Sequence, residues 1–220
     1  SDVCSSDLLT YRLENLAAIC QVADSPVIMM TPKNSGLRRV ADVIARARAE
    51  NGGMPFASTG AGSIPHISMV ALMRAANIQM NHVPFRGSGE VMLAFQQGQL
   101  QLFTDQTLLI RQYDLHPIAF LTERRNPEFP EVPTMREQLP EYEAPPAWGG
   151  YFGPAGMPAP LVARLNAELV RIINAPDVRA KAQDIGFVSE TSTPEELTQQ
   201  IVRDNAIVGK IVKAIGIQPE

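Results

Sequence analysis

The chain has 220 residues, of which 45% are hydrophobic and 19% are charged, enough for one large domain or two small ones. Its net charge of −4 at pH 7 provides no basic field to recruit nucleic acid or an anionic membrane. No apolar run approaches the roughly 20 residues that span a bilayer, and the start lacks the pattern of a signal peptide, so no direct membrane insertion is predicted.

Short apolar segments alternate with amphipathic ones over the first half of the chain. Strands are predicted at residues 27–31, 56–58, 80–85, 100–104 and 117–121. Helices are predicted at residues 37–49, 63–75 and 90–95. This order is typical of a parallel or mixed sheet covered by helices, and it predicts an α/β fold.

The second half changes character after a proline-rich stretch at residues 126–146. Beyond Trp148 the pattern becomes mainly helical. One amphipathic helix is predicted at residues 161–173, and a second at residues 194–215, where Thr193 is the expected N-cap. We place a crossover between two domains near Trp148.

A glycine-rich loop at residues 58–63 lies between a predicted strand and a predicted helix. Its residues are Ser58, Thr59, Gly60, Ala61, Gly62 and Ser63. The glycines permit positive φ and close approach of a ligand, and Ser63 can cap the helix, whose free N–H groups favour an anion. This pattern indicates a site for a carboxylate or a phosphate; the alternative is an ordinary tight turn with a cap.

Three further residues are candidates for ligand contact. His66 lies in the first turn of the helix, where it either binds a ligand or packs. Asp105 and Gln106 follow a strand whose carboxyl end faces the expected cleft. Asp105 can accept hydrogen bonds from a ligand ammonium or hydroxyl group, or it can cap the next helix.

Catalytic, metal and nucleotide sites are not indicated. The three histidines lie on three different elements, and no Gly-x-Ser-x-Gly elbow, P-loop or complete dinucleotide fingerprint is present. A Ser63–His66–Asp105 triad can be written down, but coincidence explains it better. Cys4 and Cys20 have neither metal-binding nor redox spacing. We therefore expect no enzyme, no cofactor and no metal.

Several short motifs follow one another along the chain in a characteristic order. They are residues 58–63 with Pro65-His66, His82-Val83-Pro84-Phe85-Arg86-Gly87, Gly98-Gln99-Leu100-Gln101-Leu102, Asp105-Gln106, Pro130-Glu131-Val132-Pro133-Thr134, residues 148–158 and Lys213-Ala214-Ile215-Gly216-Ile217. Together they resemble the Bug family, the solute-binding receptors of tripartite tricarboxylate transporters. The resemblance covers about residues 9–217.

This resemblance implies a two-lobed periplasmic-binding-protein fold of type II, the Venus-flytrap fold. It implies a periplasmic receptor that captures a small carboxylate and passes it to membrane permease subunits. The ligand-binding positions it implies are Ser58, Thr59, Gly60, Ala61, Gly62, Ser63, His66, Asp105 and Gln106. A ligand-sensing domain of a regulator and, less favoured, a hydrolase are the alternatives.

The same resemblance predicts the domain organisation, with one lobe incomplete. Residues 1–8 do not match the family, and we interpret them as an appended or artefactual start. Residues 9–31 are expected to be a remnant of lobe 1, residues 32–147 lobe 2, and residues 148–220 a mainly helical return to lobe 1. The chain also departs from the family in a shortened segment at residues 107–116 and in Phe85, where a tyrosine is usual.

Overall fold

The computed structural model describes residues 12–215, which form two compact units. Unit 1 comprises residues 12–25 and 147–215, and unit 2 comprises residues 26–146. The predicted boundary after residue 31 differs from this division, because residues 26–31 belong to unit 2, where they contribute a strand in the interior of its sheet. The predicted start at residues 1–8, which includes Cys4, lies outside the described residues.

Strands and helices alternate along the described chain. The strands are β1 (Leu16–Asp24), β2 (Val27–Pro32), β3 (Pro55–Ser58), β4 (Asn81–Pro84), β5 (Phe103–Gln106), β6 (Leu115–Phe120), β7 (Trp148–Pro154) and β8 (Val188–Ser189). The helices are α1 (Val40–Ala49), α2 (Ile64–Ala75), α3 (Ser88–Gln96), α4 (Leu108–Tyr113), α5 (Met135–Gln138), α6 (Ala159–Ile173), α7 (Pro176–Asp184) and α8 (Pro194–Ile215). None of these helices is both long and apolar enough to cross a bilayer.

Unit 2 is built on a five-stranded mixed sheet with the order β4-β3-β5-β2-β6. Strand β3 runs parallel to β4 and β5, whereas β2 runs antiparallel to β5 and β6. The predicted α/β fold with a mixed sheet is confirmed. Because β3, β4 and β5 point the same way, the residues that follow them emerge at one edge of the sheet.

The two faces of this sheet pack against different helices. One face carries Ala57 and Phe103 into a cluster with Val91 and Phe95 of α3, all of them buried. The other face carries Phe56 and Ser58 toward α2, whose residue His66 stacks near Phe56. Burial of a large apolar side chain contributes about 1.5–3 kcal/mol. Packing on both faces therefore holds β3 and β5 in place, and with them the loops that follow these strands at the edge of the sheet.

Unit 1 holds a three-stranded antiparallel sheet with the order β7-β1-β8. Helix α6 is tied to this sheet by Asn166, whose amide donates hydrogen bonds of 2.8 Å to the carbonyls of Ile19 and Ser192. The indole N–H of Trp148 donates to the carboxylate of Asp204 at 2.7 Å. Long-range pairs therefore join residues from both ends of the described chain.

Local sequence signals located most elements but shifted some of them. Helix α8 has the predicted bounds, and Thr193 and Glu196 form a reciprocal cap with distances of 3.1 and 2.8 Å. The strand predicted at residues 100–104 is β5, which begins only at Phe103. Strands β1 and β7 were not predicted, because each depends on a partner more than 100 residues away.

Candidate functional site

The loop at residues 58–63, called the glycine loop below, connects β3 to α2 at the edge of the sheet in unit 2. Gly60 and Gly62 have φ values of +120° and +77°, in the region that L side chains rarely adopt. A Cβ atom at either glycine meets no atom within 4 Å. The glycines are thus required by backbone conformation, and their Cα atoms face open space.

The side chains of Ser58, Ser63 and His66 fix the conformation of the glycine loop through hydrogen bonds to its backbone. The carbonyl of Gly60 accepts from the hydroxyl of Ser63 at 2.8 Å and from that of Ser58 at 3.0 Å. The amide of Gly62 donates to Nδ1 of His66 at 3.0 Å. Ser63 caps α2 as predicted, since its Oγ accepts from the amide of His66 at 3.4 Å.

These contacts change which amides remain for a ligand. The first-turn amides of the helix were expected to face an anion, but the amides of Gly62, Ser63 and His66 are already bonded to the loop or its cap. Among the described residues, no acceptor is found for the N–H groups of four other positions. They are Thr59, Gly60, Ala61 and Ile64.

His66 is stacked directly on His82 of the neighbouring strand β4. Their ring centroids are 3.9 Å apart with an interplanar angle of 14°, and Phe56 lies 5.0 Å from the ring of His82. Nε2 of His82 lies 2.7 Å from Oγ of Ser58. The two imidazoles therefore support the glycine loop from beneath, between β3 and the start of α2.

The hydrogen bond between the glycine loop and His66 requires a neutral imidazole. Nδ1 of His66 accepts a hydrogen bond from the Gly62 amide, so protonation of Nδ1 breaks this bond. Burial lowers the pKa of His66. Burial and the neighbouring charge on His66 lower the pKa of His82 to about 4. At neutral pH the stack carries no charge.

Asp105 lies at the carboxyl end of β5, beside β3. Its carboxylate accepts from the hydroxyl of Ser88 at the start of α3 and from the amide of Gln106 at 2.9 Å. Burial raises the pKa of Asp105, while these two hydrogen bonds act in the opposite direction. Gln106 lies at the same edge, in register with Val27 of β2.

The structure does not assemble a Ser63–His66–Asp105 triad. The hydroxyl of Ser63 bonds to the carbonyl of Gly60 and the amide of His66, and Asp105 bonds to Ser88. Ser58 and His82 form a second serine–histidine pair. Because the hydroxyl of Ser58 donates to the Gly60 carbonyl, the tautomer of His82 that is consistent with this bond donates from Nε2 to Ser58.

Sequence reasoning did not select His82 or Ser88 as site residues. Both lie within or beside the motif at residues 82–87, which contributed only to the family resemblance. Their contacts with Ser58, His66 and Asp105 bridge 16 to 24 positions of sequence, and no local pattern encodes them. Within residues 12–215, no group of three or more histidine, cysteine or acidic side chains is arranged to hold a metal ion.

A comparison with protein families matches residues 6–217 to the family described as the tripartite tricarboxylate transporter family receptor. The match begins at residue 6, so it includes part of residues 1–8, which were predicted not to match the family. A protein encoded in the tcbD-tcbE intergenic region of Pseudomonas sp. (strain P51) is 33% identical over 181 residues, 80% of this chain and 54% of that protein. BugT of Bordetella pertussis is 28% identical over 83% of this chain and 56% of its own length. The chain thus spans about half the length of these relatives.

Solved structures show the same fold. MatC from Rhodopseudomonas palustris with bound malate has a TM-score of 0.76 and 27% identity, over 93% of this chain and 72% of that one. Rpa4515 of R. palustris with adipate has a TM-score of 0.80 and 23% identity, over 100% of this chain and 77% of that one. The periplasmic-binding-protein fold expected from sequence is confirmed by this likeness.

Proposed function

Because this chain belongs to the tripartite tricarboxylate transporter receptor family, we propose that it binds a small carboxylate through the glycine loop of unit 2. The ligand-contacting residues we propose are Ser58, Thr59, Gly60, Ala61, Gly62, Ser63, His66, Asp105 and Gln106. In this proposal the protein acts in the periplasm and delivers its ligand to the membrane permease subunits of a transporter.

The observation that carries the proposal is the set of backbone N–H groups at the glycine loop. Thr59, Gly60 and Ala61 are consecutive, and none of their amides has an acceptor among the described residues. A carboxylate is an acceptor-only group with about four lone-pair positions, which suits several neighbouring amides that have no protein acceptor. Hydrogen bonds to a charged group contribute about 1.5–3 kcal/mol each, so two or three of them support binding without a basic side chain.

The shape of the loop supports the same proposal. Gly60 and Gly62 place no side chain over these amides, and Ala61 adds only a methyl group. The start of α2 lies behind the loop and contributes the positive end of its dipole. The hydroxyls of Ser58 and Ser63 and the imidazoles of His66 and His82 are bonded to the loop itself, which fixes the positions of the amides before a ligand arrives.

A thermal-unfolding screen with small carboxylates tests the proposal. A ligand at a hundred times its Kd is expected to stabilise the protein by about 2.7 kcal/mol. Calorimetric titration then gives the affinity, and an assay for product verifies that the ligand is recovered unchanged. If none of a broad set of mono- and dicarboxylates shifts the unfolding temperature, the proposed function is wrong.

Two matched glycine substitutions separate binding from folding. Gly60→Ala and Gly36→Ala each place a Cβ in open space on a residue with positive φ. Both are expected to lower stability by about 1–3 kcal/mol, the cost of holding an L residue in a sparsely populated backbone region. Only Gly60→Ala is expected to weaken carboxylate binding, by tenfold or more. Equal binding by the two variants contradicts a role for the loop.

A further inference from the structure

Asp105 is the acidic side chain nearest to the glycine loop along the sheet. Ala57 of β3 pairs in parallel register with Phe103 of β5, so Thr59 and Asp105, each two residues further on, both follow at the same edge of the sheet. Neighbouring strands are about 4.8 Å apart. A molecule whose carboxylate is bound at Thr59 therefore lies at the edge of the sheet where β5 ends with Asp105 and Gln106.

The direction of the Asp105 side chain follows from the alternation along β5. The hydroxyl of Thr104 donates to the carbonyl of Pro65 in α2 at 3.3 Å, so Thr104 points to the α2 face. Asp105 points to the other face, where Ser88 of α3 donates to its carboxylate. Ser88 and the Gln106 amide hold this carboxylate at the rim of the sheet, and its side chain is only partly buried.

The carboxylate of Asp105 has spare capacity as an acceptor. Its two oxygens offer about four lone-pair positions, and one donor is bonded to each oxygen. Both present donors are neutral, and no lysine or arginine is bonded to Asp105 among the described residues. The carboxyl group of Asp105 thus has acceptor positions left and no cationic partner among the described residues.

We infer that Asp105 determines specificity, selecting carboxylates that bear a hydroxyl or ammonium group on a carbon close to the bound carboxylate. This inference rests on the proposed function. A ligand ammonium group supplies the cation that the site lacks, and a hydroxyl group supplies a donor. A ligand with only hydrogen at that position leaves the partly buried carboxylate of Asp105 facing apolar carbon, which is unfavourable.

Two triplets of ligands with matched skeletons test this inference. The first is propionate, L-lactate and L-alanine, and the second is succinate, L-malate and L-aspartate; within each triplet only one substituent changes from hydrogen to hydroxyl to ammonium. For the triplet that binds, we expect the hydroxyl and ammonium members to bind about 10- to 100-fold more tightly than the unsubstituted member, the range for one hydrogen bond to a charged group. Calorimetric titration at pH 7.5 measures these ratios.

Asp105→Asn is expected to reduce that preference to threefold or less, with the largest loss for the ammonium member. The ratio of affinities within one triplet cancels any general effect of the variant on folding. Asp114→Asn is the matched control, because Asp114 is an exposed residue of positive φ that pairs with Lys33. This variant is expected to retain the wild-type preference.

The outcomes separate this inference from the proposed function. Equal binding within a triplet, or an Asp105→Asn variant that keeps the full preference, overturns the role of Asp105 and leaves carboxylate binding intact. Failure of all six compounds to bind wild-type protein, while another carboxylate of the thermal-unfolding screen binds, overturns this inference and leaves the proposed function intact. Failure of every carboxylate in that screen rejects both. A preference that disappears in Asp105→Asn and persists in Asp114→Asn supports it.

Discussion

Helix α2 of unit 2 buries most of its apolar residues, whereas helix α6 of unit 1 leaves its apolar residues exposed or only partly buried. Seven of the twelve residues of α2 are buried, from His66 to Leu72. None of the fifteen residues of α6 is buried, and Leu161, Leu165 and Ile172 are 36–44% exposed. Both helices have apolar residues at helical spacing, so the comparison shows that periodicity identifies a face suited to burial but does not supply the partner that covers it.

The first prediction compares two leucines, one in each unit. Leu102 precedes β5 and is fully buried, whereas Leu161 on α6 is 44% exposed. Leu102→Ala is expected to lower the free energy of unfolding by about 2–5 kcal/mol, because it leaves a cavity in unit 2. Leu161→Ala is expected to cost less than about 1 kcal/mol. Urea denaturation monitored by circular dichroism measures both, and equal losses contradict the contrast between the units.

The second prediction concerns pH and applies to unit 2 only. The pKa values of His66 and His82 are lower in the folded chain than their ordinary value of 6.5, so the unfolded state binds protons first as the pH falls. Stability is therefore full above pH 6.5 and declines toward pH 4, where His82 also becomes charged. Each unit of pKa difference corresponds to about 1.4 kcal/mol. We expect a loss of about 1–2 kcal/mol, reduced from the full value because solvent partly screens His82.

A histidine pair provides the control for this pH dependence. His82→Phe keeps an aromatic ring against His66 and removes the titrating group, so the loss between pH 6.5 and 4 is expected to shrink. His116→Phe lies outside the stack and is expected to leave the loss unchanged. Asp105 acts in the opposite direction, because its raised pKa increases stability as the pH falls toward 3.8. Urea titrations at half-unit pH steps distinguish these contributions.

The third prediction compares two helix caps. Ser63 caps α2 in unit 2 and Thr193 caps α8 in unit 1. In each case the side-chain oxygen accepts from the backbone amide of the third residue of the helix. Ser63→Ala and Thr193→Ala are each expected to cost about 1 kcal/mol of stability. Only Ser63→Ala is expected to weaken ligand binding, since Ser63 also bonds to the Gly60 carbonyl. Loss of binding in both variants indicates a general effect of instability.

The smallest expected effect belongs to the exposed face of α6. Replacing Leu161 and Ile172 together by glutamine is expected to change the free energy of unfolding by no more than about 0.5 kcal/mol per site. Binding of a fluorescent hydrophobic dye to the native protein is expected to fall, because less apolar surface is exposed. A loss of several kcal/mol contradicts the exposure of this face.

The candidate site was partly predictable because the glycine loop is a local feature. A strand, two glycines and a capping serine within six residues indicate a βα turn, and the φ values of Gly60 and Gly62 agree with this. His82 was not selected, because its role depends on pairing between β3 and β4 and on the packing of α2. Ser88 was not selected for the same reason: its partner Asp105 lies on another strand.

The amino-acid sequence by itself determined the order of the five strands and of α1, α2 and α3 in unit 2, but not α4 and α5. It also determined the cap and length of α8 and the position of the glycine loop. These features depend on contacts within a few residues and on the periodicity of side chains along a helix or strand. Tertiary structure alone decided the pairing of β1 with β7, the stacking of His66 on His82, and which amides of the loop remain without a protein acceptor. These features require groups distant in sequence to meet in space, and their energies depend on the burial and hydrogen bonding that only the folded chain provides.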